Sequence, residues 1–125
     1  METTDTKPKA DVIPSALQFD LFGQSYTVEF PTNGQINRIE RMKIALSGGN
    51  YVGFYRTDDP GYAAKLSIDA AAFMDGMLPD LSRTLNIKGG WDELPPAMHR
   101  ELIQVYQTKI YKWYTSCTSF LLKWD

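Results

Sequence analysis

At 125 residues, with 43% hydrophobic, 13% aromatic and 22% charged side chains, the chain can bury one core without disulfides or a structural metal and lies outside the composition range of disorder. Its formal charge of −2, from 15 acidic and 13 basic residues, excludes an overall basic field for holding a nucleic-acid backbone. One cysteine excludes an intramolecular disulfide, one Cys with one His cannot make an ordinary zinc cage, and no apolar run approaches the twenty residues of a membrane span. The expectation is a soluble intracellular protein with one domain, no metal or cofactor, and neither nucleic acid nor membrane as partner.

Residues 1–14 are polar and charged, with Lys7, Lys9 and Asp11 among Thr and Pro, and read as a flexible arm that orders only against a neighbouring molecule. A single α+β domain is expected over 15–125. Leu17, Phe19 and Leu21 alternate with polar residues, as do Tyr26, Val28 and Phe30, which predicts a β-hairpin turning around Phe22 to Ser25 and stopped by Pro31. Thr32 with Gln35 has capping-box spacing, and Ile36, Ile39, Met42 and Leu46 follow at helical intervals until Ser47-Gly48-Gly49. This predicts a first helix over Asn33 to Leu46.

Asn50 to Arg56 fits a short strand or an aromatic loop equally well, and Thr57 to Tyr62 reads as a turn around Asp-Asp-Pro-Gly. Ser67 with Asp69 is expected to open a second helix that buries Ile68, Ala71, Ala72, Met74, Leu78, Leu81 and Leu85. Pro79 removes a backbone donor, so a kink or two shorter helices are expected there, with Lys88-Gly89-Gly90 as the stop.

From Leu94 to Trp124 the pattern predicts one long helix. Met98, Leu102, Val105, Tyr106, Ile110, Trp113, Tyr114, Cys117, Phe120, Leu121 and Trp124 recur at three- and four-residue steps along it. Fully helical, it would span roughly 45 Å, longer than a domain of this size is wide, so part of it is expected to meet another molecule. Tyr111 falls off the main stripe, spreading the aromatics over more than one face. Tyr106, Tyr111, Trp113, Tyr114, Phe120 and Trp124 are therefore expected at a partner interface, together with Tyr51, Phe54 and Tyr55 beside the Gly-containing turn.

Little suggests catalysis. His99 has no nucleophile or orienting carboxylate placed beside it by local sequence, and Cys117 lies on the apolar stripe, where a thiol packs as a small hydrophobe with its pKa raised. Asp58, Asp59, Asp69 and Asp75 lack the spacing of a calcium loop, and the Gly pairs belong to no phosphate-cradling pattern. Arg38, Arg41 and Lys43, interrupted by Glu40, read as the solvated face of an amphipathic helix.

The run Tyr26-Thr-Val-Glu-Phe-Pro-Thr-Asn-Gly-Gln-Ile-Asn-Arg-Ile-Glu-Arg-Met-Lys43, with Leu46-Ser-Gly-Gly-Asn-Tyr51 and Phe73-Met-Asp-Gly-Met-Leu-Pro-Asp-Leu81, resembles small proteins of tailed-phage morphogenesis modules. The layout over about residues 17 to 118 is similar to that of tail assembly chaperones and accessory tail or virion proteins. That resemblance implies a non-enzymatic role in building or forming a particle, an oligomer or larger assembly with tail or capsid proteins, and a location in the host cytoplasm during assembly or in the virion. A cellular adaptor or regulatory protein-binding module is the alternative reading.

Overall fold

In the computed structural model, which describes residues 13–49 and 60–122, the alternating N-terminal segments form an antiparallel hairpin. Strand β1 (Ala16–Leu21) pairs with β2 (Gln24–Glu29), placing Leu17 opposite Val28 and Phe19 opposite Tyr26. The turn is only two residues, Phe22 (φ 54°) and Gly23 (φ 80°), shorter than the four-residue turn expected. Two successive left-handed residues match the twist of a hairpin, but a left-handed Phe is disfavoured. Its N–H is held by Glu101 Oε2 at 2.7 Å, a contact from the far end of the chain that local sequence does not reveal.

Helix α1 (Asn33–Leu46) has the predicted bounds and the predicted capping box: Gln35 N donates to Thr32 Oγ1 (3.1 Å), and Thr32 N to Gln35 Oε1 (2.9 Å). Helix α2 spans Pro60–Met77, so it begins well before Ser67, and Pro60 to Tyr62 are helical rather than part of a turn. Proline is tolerated there because the first N–H of a helix has no intrahelical partner to lose. The chain leaves the helix before Pro79 and re-enters a short helix, α3 (Leu81–Thr84), giving two helices where a kink or a break was expected. The stop comes at Asn86, which is left-handed (φ 59°), rather than at Lys88-Gly89-Gly90.

After a 3-10 turn at Trp91–Glu93, the last helix starts at Pro96, two residues later than expected. It comprises α4 (Pro96–Val105), a π-helical turn (Tyr106–Ile110) and α5 (Tyr111–Leu122). In a regular α-helix, positions four apart drift about 40° around the axis. The wider π turn keeps Leu102, Tyr106 and Ile110 in line, all of them buried. The protein is thus α+β and mostly helical: an N-terminal hairpin packed on helices, with a long C-terminal helix.

The core gathers on α2. Asp69, Ala70, Ala71, Ala72, Phe73 and Met74 are six consecutive buried residues, so this helix is enclosed on all sides. Phe73 meets Tyr106 (6.2 Å between ring centres) and Tyr114 (5.6 Å), both edge-on. Helix α1 crosses at Gly76, where a Cβ would overlap Ile39 Cγ1 and stand 3.1 Å from its Cδ1. Glycine is the residue that this close approach admits.

Gly76→Ala is therefore expected to destabilise the fold by about 1–2 kcal/mol, because overpacking outweighs the better helix propensity of alanine. In an Ile39→Ala background, which lacks the overlapping Cγ1, Gly76→Ala should cost less than it does in the parent. Denaturant unfolding of the single and double variants checks this; a Gly76→Ala variant as stable as the parent would mean that the crossing is not tight.

Candidate partner-binding surface

The aromatic residues expected at an interface separate into three groups. Tyr106 and Tyr114 are buried in the core, which corrects the interface assignment for them, and Trp113 is also buried and reaches the surface only as part of a groove wall: the sides of the helix that carry them are covered by α2, α1 and the hairpin base. Tyr111 and Phe120 are exposed, Phe120 at 62%. Tyr51, Phe54, Tyr55 and Trp124 lie outside the described residues, as does the arm up to Val12.

Tyr111 stands edge-on to Tyr106 (6.1 Å), with Lys65 Nζ 5.8 Å from its ring centre. Phe120 packs edge-on against Phe30 at the foot of the hairpin (6.0 Å, 83°) and leaves most of its own surface uncovered. One turn back along α5, Ser116, Trp113 and Lys112 form one wall of an open groove of about 350 Å³. Its other wall is Ile13, Pro14 and Leu17. The two walls are tied together by a hydrogen bond: Trp113 Nε1 donates to Pro14 O at 2.9 Å, fixing the chain where it enters β1. The result is a largely apolar groove with Lys109 and Lys112 among its lining residues, and the Phe30–Phe120 pair lies outside that lining, Phe120 one turn beyond Ser116 on α5.

Sequence reasoning found Trp113 and Phe120 but missed Ile13, Pro14, Leu17 and Phe30 as their companions. The missing signal is tertiary, since the two walls are about a hundred residues apart. The spacing Lys112, Ser116, Phe120 is legible as one side of a helix.

The groups with chemical potential are engaged elsewhere. His99 Nε2 lies 2.8 Å from Ser67 Oγ, joining α4 to α2, a pair that sequence spacing did not bring together. Of the carboxylates near His99 in sequence, Glu101 is turned to the hairpin turn. Cys117 is fully buried, and burial pushes its thiol up to about 11, far from the thiolate a nucleophile needs. Asp69, also buried, accepts from Lys65 Nζ at 2.6 Å. Arg38 pairs with Asp75 across the α1–α2 crossing (3.3 Å).

Glu40 Oε2 accepts from both Tyr114 OH (2.7 Å) and Lys43 Nζ (2.9 Å), and Lys43 also sits over the Tyr114 ring. Burial, then the hydrogen bond and charge of Glu40, then the charges of Asp69 and Cys117, hold the Tyr114 phenol well above the ordinary tyrosine range. No known protein family, curated protein or solved structure matches this chain.

The Tyr114 phenol has a sign-specific consequence. A group whose folded-state pKa is raised contributes stability that is fully present below its unfolded value and is lost above it. The parent protein should therefore lose stability as pH rises from about 9 to about 11, while Tyr114→Phe, costing about 1 kcal/mol near neutrality, should show a shallower alkaline decline. Chemical denaturation across that range measures both. Identical slopes would remove Tyr114 as the source.

Proposed function

We propose that this chain is a non-catalytic protein-binding subunit of tailed-phage morphogenesis, engaging a tail or capsid protein in the groove between the hairpin base and α5. The observation that carries the binding role is Phe120: a large aromatic 62% exposed, one helical turn beyond Ser116 of the groove wall, has the form of an interface anchor. Lys109 and Lys112 in the groove lining suit a partner segment that presents carboxylates around an apolar side chain. The phage context rests on the similarity of sequence layout. On this reading the protein acts in the host cytoplasm during assembly and is carried into the virion where it is a permanent component.

Affinity purification of the tagged protein from infected cells tests the assignment. Tail, capsid or tape-measure proteins in the eluate support it, whereas host signalling or regulatory proteins would favour a cellular adaptor instead. Phe120→Ala and Lys112→Glu, with helical circular dichroism unchanged, are each expected to lower partner affinity about tenfold, the loss of one anchor or one steering charge. Undiminished capture by both variants would exclude the groove as the binding surface.

A further inference from the structure

Among the described residues, the outer edge of β2 is an open row of hydrogen-bonding groups. Phe30 N donates to Ser15 O at 2.8 Å, continuing the ladder past the strand ends. With Leu17 opposite Val28 and Phe19 opposite Tyr26, this bond sets the phase: Tyr26 and Val28 bond inward to β1, and the N–H and C=O groups of Ser25, Thr27 and Glu29 point outward. Those outward groups have no partner among the described residues. The other strand, β1, runs beside α4 and the π turn, so β2 is the edge left open.

The chemistry of this edge narrows what it accepts. Ser25, Thr27 and Glu29 are exposed on one face, beside Gln18 and Asp20 of β1, which gives that face two carboxylates and no Lys or Arg. Tyr26, half-buried, and Val28 lie on the other. A second copy of β2 paired along this edge would assemble four carboxylates on one face with no cation to balance them. An extended segment alternating basic with small apolar residues meets both faces well.

The chain carries a segment of this kind in Lys7-Pro8-Lys9-Ala10, continued by Asp11-Val12. Pro8 has no N–H to give to β2, so only one phase is open to it, with Lys7 and Lys9 as the bonding residues. In that phase Lys7, Lys9 and Asp11 fall on the face of Asp20 and Glu29, where the two lysines set two positive charges against the carboxylates and leave that face one negative charge in excess, and Pro8, Ala10 and Val12 fall beside Tyr26 and Val28. Proline then stands on the new outer edge, where it blocks addition of a further strand. Within one copy, Pro14 is fixed to Trp113 and Ser15 to Phe30, on the β1 side of the hairpin away from the outer edge of β2.

We propose that β2 accepts the Lys7–Val12 segment of a second copy as a third strand. This association between copies goes beyond the groove and does not depend on which protein the groove binds.

Sedimentation velocity of the full chain over a range of concentrations tests it, with circular dichroism to verify folding. The expected result is concentration-dependent association that weakens with added salt, as pairing of exposed charges does. Lys7→Glu with Lys9→Glu should weaken it about tenfold or more. Thr27→Pro removes only an outward N–H and should abolish association while the hairpin remains. A parent protein that stays monomeric throughout, or association that survives Thr27→Pro in a folded chain, overturns the proposal. Association unaffected by the charge reversal overturns the proposed occupant. Should Thr27→Pro fail to fold, the charge-reversed chain decides, since its substitutions leave every core residue of the described structure unchanged.

Discussion

Helix α2 is enclosed by the rest of the molecule, and the other elements are arranged by the need to cover it. Six buried residues in a row, from Asp69 to Met74, leave no side of the helix for water. The small side chains Ala70, Ala71 and Ala72 let neighbours approach closely, while Phe73 fills the space toward the C-terminal helix between Tyr106 and Tyr114. Among the described residues, Asp69 is the buried charged group in an otherwise apolar interior. Burying a lone carboxylate costs several kcal/mol, and Lys65, one turn earlier on the same helix, supplies the compensating charge.

Around this centre, a small number of polar contacts tie distant segments together. Glu101 reaches the left-handed Phe22 of the hairpin turn, Trp113 reaches Pro14, Tyr114 reaches Glu40 of α1, and His99 meets Ser67 of α2. All four start on the last helix and end on a different segment. The C-terminal helix therefore acts as a strut along which the hairpin, α1 and α2 are registered. Its buried aromatics hold the strut in place, and its uncovered side, with Lys112, Ser116 and Phe120, is free to meet a partner. A rigid wall of this kind suits recognition, because little ordering cost remains to be met on binding.

Much of this was legible in the residues themselves. The alternation of Leu17, Phe19, Leu21 and of Tyr26, Val28 gave the hairpin, Thr32 with Gln35 gave the start of α1, and Pro79 gave the break after α2, because each of these signals acts through neighbours in the chain. The sequence also showed that the last helix carries more aromatic surface than one seam uses. What it left open was which of those aromatics the domain itself would cover. Tyr106, Trp113 and Tyr114 turned inward and Tyr111 and Phe120 outward because α2, α1 and the hairpin base occupy particular sides of that helix, a choice made by packing across long sequence separations. The π turn, the open edge of β2 and the groove between Pro14 and Trp113 belong to the same class. Each is a relation between segments, and hydrophobic periodicity reports only that a side chain seeks cover, not what provides it.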